Sequence, residues 1–442
     1  MLPLPSTTNI ADHASGRLGL SKRALKFLFA AVLAVTFFGI FTYQPFSISS
    51  ELSSPGTIDL SSLERILEEH ASSHVVGAEH KLPQHDSSSV GDGDEHQPLS
   101  ELGFDADESF RLGTLSKPEY RAELEDFVNT GFPAKYKTDA LDSLERTLGD
   151  SGADTKFPSI PHKIWQTAKN ENPNTFHNWQ DQVGFDYTFM NDADSDAWMK
   201  KNFDGSKILW TWQHLPSGIL QARSLARAAD AARSDYLRYI VVCFEGGIYS
   251  DTDTLLLRDF SNWGTTDPDE RIKGNGPASL IVGIEADVGG REDWHSWWPR
   301  PLQIAQWTLA GAPFQPALID VLRKIYLRCA DIEDWKKKEG LTGAAGDQRI
   351  RDAIMNDEVV GSVMEWTGPG VFTDGIIRYL RVQFGVKWPD LKDRRKPTRW
   401  REAVVLPVTG FAPGIGMFNA GGTNDPQAMV QHWFYGSWKH GT

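Results

Sequence analysis

The stretch from Asp235 to Thr254, DYLRYIVVCFEGGIYSDTDT, constrains the fold more than any other part of the 442-residue chain. Its end sets two carboxylates, Asp251 and Asp253, just after the pair Gly246-Gly247 and the apolar Ile248-Tyr249. Alternate side chains of an extended segment share a face, so the two acids are expected to point one way and Thr252 the other. Carboxylates beside a buried strand are costly unless paired or metal-bound. Two together suit a hard divalent cation, Mn2+ or Mg2+, whose remaining shell takes water or phosphate. An isolated Asp-x-Asp also fits a solvated loop. The glycines and the apolar flanks, including Leu255-Leu256-Leu257, set this one apart.

By propensity Tyr239 to Phe244 would pass as a buried strand. Charge placement favours a helix, because Asp235, Arg238 and Glu245 share a helical face whereas a strand would split Asp235 from Arg238. Ser234 is then the expected N-cap and Gly246 the stop. Arg223, Arg227, Asp230 and Arg233 decorate an Ala-rich helix before Ser234. Either one of these arginines reaches a diphosphate or all are solvated.

Around this core, Ile160 to Thr167 reads as a first buried strand ending at Gln166-Thr167, and Tyr187 to Met190 as a second, followed by a helix through Trp198. Leu280 to Glu285 is a further strand. Such alternation implies an α/β fold with a parallel sheet and binding loops at the carboxyl ends of its strands. Glu285 at a strand end could reach a sugar or an acceptor. The loop Arg291 to Pro301 holds Trp294, Trp297 and Trp298, whose flat faces suit sugar rings, or which simply pack the loop. Gln303 to Trp307 reads as strand or loop, and Pro313 to Arg328 as helix. Thr367-Gly368-Pro369-Gly370 is a strong turn with Asp374 at a helix start, and His432 precedes Gly436-Ser437-Trp438 near the C-terminus.

Together these segments resemble the glycosyltransferases with an Och1-like fold, the fungal Golgi alpha-1,6-mannosyltransferases of glycosyltransferase family 32. The resemblance rests on IPHKIWQT (160–167), SDYLRY (234–239), GGIYSDTDT (246–254), TGPGVFTD (367–374) and HWFYGSW (432–438), in that order across residues 156–442. It implies a GT-A type fold, a single Rossmann-like mixed sheet flanked by helices, that binds a nucleotide-diphospho-sugar. Asp253 and Asp251 would hold the metal, with His432 or Ser437 completing its shell. Gln166 and Thr167 would face base and ribose, Tyr249 would pack near the ribose, and Asp235 and Arg238 would grip sugar hydroxyls. Gly368 and Ser437 would also line the donor, and Trp438 would contact the leaving phosphate. Acceptor contacts would fall to Glu285, Trp294, Trp297, Trp298 and Asp374.

The implied reaction transfers mannose from GDP-mannose to a mannose of an N-glycan with retention, starting the outer chain. Related enzymes use UDP-galactose, UDP-N-acetylglucosamine or a sphingolipid acceptor. A subunit of a Golgi mannosyltransferase complex that binds glycans without turnover is the reading from another class. Homo- or hetro-oligomers with other Golgi mannosyltransferases are compatible with either.

A formal net charge of −14 argues against a nucleic-acid binder, which needs a basic surface. Residues 24–43 are the membrane candidate; their uncharged part from Phe27 to Tyr43 is 17 residues, or roughly 26 Å of helix. Arg17, Lys22, Arg23 and Lys26 precede it and no basic residue follows until Arg65, which predicts a single-pass type II protein of the cis-Golgi with its catalytic domain in the lumen. A cleaved signal peptide is the rival reading. Residues 1–23 are then a cytosolic tail, 44–100 a flexible stem too polar to fold, 101–155 a helical collar, and 156–442 the catalytic domain. In the collar, Pro118 to Asn129 and Thr138 to Leu148 read as helices. Cys243 and Cys329 are either buried thiols or one disulfide, and no N-glycosylation sequon occurs. The basic run Lys392 to Arg401 fits a solvated loop or an anion-attracting one.

Overall fold

Pro118 sits in the first turn of helix α1 (Lys117–Gly131), where a missing N–H costs nothing. Tyr120, Leu124, Phe127 and Val128 follow at helical spacing and are buried. Phe132-Pro133 breaks the run before α2 (Ala134–Leu148). Both helices share the hydrophobic core of the sheet domain: Phe132 and Tyr136 pack on Phe244 at 4.7 and 5.0 Å between ring centres. The computed structural model describes residues 112–149, 156–169, 177–215, 227–264, 278–288, 294, 298–343, 346, 349 and 363–434. The expected membrane segment, the stem, Arg223, Trp297, Ser437 and Trp438 lie outside them. Among the described residues no helix is long and apolar enough to cross a membrane.

The order continues with β1 (Lys163–Thr167), β2 (Asp186–Met190), α3 (Asp192–Phe203), α4 (Lys207–His214), α5 (Arg227–Glu245), β3 (Gly247–Ser250) and β4 (Thr254–Leu256). Next come β5 (Leu280–Asp287), β6 (Leu302–Ile304), β7 (Thr308–Gly311), α6 (Pro316–Lys338), α7 (Val363–Trp366) and α8 (Pro369–Phe384). The last elements are β8 (Thr398–Trp400), β9 (Ala403–Leu406), α9 (Val408–Phe411) and β10 (Val430–His432).

The main sheet has the order β2-β1-β3-β7-β5-β9-β8, with β6 paired to β5. Its pairings make β2, β1, β3, β5 and β9 run one way and β6, β7 and β8 the other. The sheet is therefore mixed, as the resemblance implies, and not the wholly parallel one that alternation alone suggests. The reason is local: β5 returns through a hairpin to β6 and β7, and only a helical crossover would make those neighbours parallel. Helix α5 covers β1, β3 and β7, and α6 packs on α5 and α8.

Ser234 is not an N-cap. The described helix already runs through Arg227, seven residues ahead of Ser234, because the intervening alanines are strong helix formers and merge with DYLRY into one element. Its stop is where the sequence puts it, at Gly246 with φ 69°. Cys243 and Cys329 are free and buried, and burial pushes both thiols up.

Candidate active site

The carboxyl ends of β1 and β3 and the amino end of β7 meet at one edge of the sheet, with Trp165 opposite Tyr249 and Ser250 opposite Thr308. Gly247 makes that approach possible. Its φ is 107°, and a Cβ there would lie 2.5 Å from the Lys163 carbonyl oxygen. β3 thus lies directly on β1 and delivers Tyr249 and Asp251 to the edge.

Asp251-Thr252-Asp253 is a tight turn between β3 and β4, not the extended segment expected from alternation. Thr254 Oγ1 donates to the Asp251 carbonyl at 2.6 Å, and the Asp251 amide donates to the Trp307 carbonyl at 2.8 Å. These bonds satisfy the backbone in a turn, so the strand rule for side-chain direction does not apply. The carboxylates still converge. β10 pairs antiparallel with β4, placing His432 opposite Thr254. One oxygen each from Asp251 and Asp253 and a ring nitrogen of His432 all lie within 4.8 Å of one another.

His432 Nε2 is 3.1 Å from Asp253 Oδ1, and its ring stacks on Trp307 at 4.2 Å. Its other ring nitrogen, Nδ1, is buried without a hydrogen-bond partner among the described residues. Two carboxylates and an imidazole form an oxygen-rich donor set with one borderline nitrogen, which fits Mn2+ or a similar divalent cation. The orphaned nitrogen beside that set fits a site that expects a ligand.

Arg238 holds the other flank. Its Nη2 is 3.1 Å from Asp235 Oδ1 and 3.3 Å from Asp251 Oδ1, and its guanidinium lies over the Tyr249 ring at 5.1 Å. Gln306 donates to Asp235 Oδ1 and Thr367 Oγ1 to Oδ2, each at 3.1 Å. Burial lifts the Asp235 carboxyl to about 6 despite Arg238 and these donors, with Asp251 adding to the lift. Burial also raises Asp251, against the pull of Arg238. For Arg238 itself burial acts downward, but Asp251, Tyr249 and Asp235 outweigh it and leave the guanidinium raised. Burial and the Asp251 charge push the Tyr249 phenol up.

The expected donor-side residues cluster here. Gln166 donates to the Asp251 carbonyl at 3.1 Å and accepts from the Tyr187 hydroxyl at 3.0 Å. Thr167 Oγ1 lies 3.0 Å from Tyr249 Oη, which donates to Asp251 Oδ1 at 2.8 Å. Gly368 is the N-cap of α8, next to Thr367. The acceptor candidates each have partners of their own. Glu285, half-buried on β5, accepts from Trp307 Nε1 at 3.4 Å and so adjoins His432. Asp374 is buried in α8, where both its oxygens accept from Arg300 at 2.7 Å. Trp294 and Trp298 are half-buried, with Trp298 edge-on to Phe418 at 5.8 Å.

Sequence reading missed Gln306 and Trp307, which bond Asp235 and stack on His432. Their one signal is a polar-aromatic pair directly before the short apolar run of β7. It also passed over the side chain of Thr367, although the turn around it stood out.

Comparison with known proteins agrees with the resemblance. Residues 161–269 match the family described as glycosyltransferase sugar-binding region containing DXD motif. The initiation-specific alpha-1,6-mannosyltransferase of Schizosaccharomyces pombe is 35% identical over 286 residues, 63% of this chain and 64% of the relative's length. The protein of the same name from Candida albicans is 27% identical over 330 residues, 69% of this chain and 79% of the relative. Among solved structures, the PaToxG glycosyltransferase matches 62% of this chain and 81% of its own, at 16% identity and a TM-score of 0.30. By these matches the chain is similar to glycosyltransferases with a DXD-containing sugar-binding region, and it spans a little under two thirds of the length of the Schizosaccharomyces pombe relative.

Proposed function

We propose that the protein is a metal-dependent, retaining glycosyltransferase that moves mannose from GDP-mannose to a mannose of an N-glycan, initiating an alpha-1,6-linked outer chain. One observation carries the reading: Asp251, Asp253 and His432 converge at a sheet edge flanked by the buried Arg238-Asp235 pair. The names of the fungal relatives support mannose and the linkage.

A divalent cation held by Asp253, Asp251 and His432 would neutralise the diphosphate as its bond to the sugar breaks. Arg238 fixes Asp251 and Asp235 in place, and Asp235 has oxygen lone pairs left to accept from donor-sugar hydroxyls. Tyr249, bonded to both Thr167 and Asp251, sets the turn that presents the carboxylates. The apolar residues 24–43, with basic residues ahead of them, support a Golgi membrane anchor and a lumenal catalytic domain.

Calorimetry of the full-length protein with GDP and with UDP, each with and without Mn2+, tests the reading. GDP binding that requires Mn2+ and mannose transfer to a mannose oligosaccharide are the expected results. Binding of UDP alone would overturn the donor, and binding of neither would bring forward a subunit without turnover.

A further inference from the structure

Glu285 is a half-buried carboxylate that no basic side chain pairs with among the described residues. The buried acids Asp235, Asp374 and Asp320 each take a cation, Arg238, Arg300 and Arg378 in turn. Glu285 is held by neutral donors instead, Gln303 Nε2 to Oε2 at 2.7 Å and Trp307 Nε1 to Oε1 at 3.4 Å. Keeping an acid partly out of water without a cation is costly, and each oxygen retains a lone pair for another donor.

Trp307 also ties Glu285 to the cation cluster, since its ring stacks on His432. Phe434 packs on His432 at 4.0 Å and edge-on to Trp307 at 6.0 Å, yet remains 48% exposed. Its φ of 52° is a conformation that bulky residues rarely adopt, and such strain gathers at ligand sites. A carboxylate with spare lone pairs and an exposed aromatic ring therefore share one indole, on the His432 side of the cluster. Asp235 and Arg238 lie on the Asp251 side. A hexopyranose matches the first pair: its hydroxyls donate to a carboxylate and its C–H face lies on an aromatic ring.

We propose that Glu285, Trp307 and Phe434 form the acceptor subsite, where Glu285 accepts hydrogen bonds from hydroxyls of the acceptor hexopyranose and Phe434 covers its apolar face. The assignment rests on the glycosyltransferase reading above and places the acceptor beside His432.

The test compares Glu285→Gln and Phe434→Ala with wild type in the full-length protein. Glu285→Gln is expected to raise the acceptor KM for a mannose oligosaccharide roughly 10- to 100-fold. Phe434→Ala, at an exposed position, should raise it about fivefold even if the first variant folds poorly. GDP-Mn2+ affinity and the GDP-mannose KM should stay within about twofold in both. An unchanged acceptor KM in both variants, or a donor KM that rises in step, overturns the subsite. If wild type binds no GDP and transfers no mannose, the functional reading fails separately. Direct titration with alpha-mannobiose then decides the subsite: binding lost in both variants supports it, and binding that is equal or absent in all three proteins overturns it.

Discussion

His432 Nε2 lies 3.1 Å from Asp253 Oδ1, although 179 residues of chain separate the two. The contact exists because β10 pairs with β4 in a register that sets His432 opposite Thr254, and the Trp433 amide donates to the Asp253 carbonyl at 3.0 Å. Backbone pairing, not side-chain attraction, brings the His432 imidazole to the two acids.

Asp253→Ala should therefore abolish Mn2+-dependent GDP binding, and His432→Ala should weaken it roughly 10- to 100-fold or more. Stability without metal should change little for Asp253→Ala, because this partly exposed carboxylate stands beside Asp251. Calorimetry and thermal unfolding check the two halves. Retained Mn2+ dependence in Asp253→Ala would remove this cluster as the metal site.

Arg238 is the cation for two carboxylates, with its side chain 6% and that of Asp235 8% exposed. Arg238→Ala strands both acids and should cost about 3–5 kcal/mol in urea unfolding. The double variant with Asp235→Asn should recover part of that loss, since one stranded charge is gone. A single-variant cost below about 1 kcal/mol would show the pair to be solvated in practice.

The Asp235 carboxyl is raised to about 6, so the folded protein keeps a proton that the unfolded chain releases near pH 4. The folded state then binds more protons across that window, and its contribution to stability falls as pH rises from about 4 to about 6. Above that window the contribution is level. Metal-free wild type should lose, relative to Asp235→Asn, on the order of 1 kcal/mol per pH unit between pH 5 and 6. Urea unfolding at pH 5, 6 and 7 measures it, and a wild-type-minus-variant difference that ignores pH would contradict the assignment.

Gly247→Ala adds a methyl 2.5 Å from the Lys163 carbonyl oxygen, at a φ of 107°. The clash separates β3 from β1, and the expected loss is at least about 2–4 kcal/mol with loss of Mn2+-dependent binding. Gly184→Ala is the control. Its φ is 83° with nothing within 4 Å of the added methyl, so only the backbone cost of about 1 kcal/mol applies. Equal losses in the two variants would refute the strand-contact argument.

Local sequence determined a good deal of this protein. The glycine pair fixed where α5 ends and β3 begins, since only glycine takes those φ values cheaply. Helical charge spacing joined Asp235 to Arg238 before any tertiary contact was known. Short apolar runs with polar exits marked β1, β2 and β5, and the quoted segments in their order carried a resemblance that the family match over residues 161–269 supports.

Tertiary structure decided the rest, for reasons that no local pattern carries. The Asp251-Asp253 turn follows from backbone bonds to Trp307 and Thr254, so strand alternation could not predict where the acids point. β7 entered the sheet antiparallel because of its hairpin return, and with it came Gln306 and Trp307. Asp374 and Glu285 read alike in sequence, as acids beside a predicted element. Only packing gave Asp374 the buried Arg300 and left Glu285 with neutral donors beside His432, because long-range pairing chooses which charges meet.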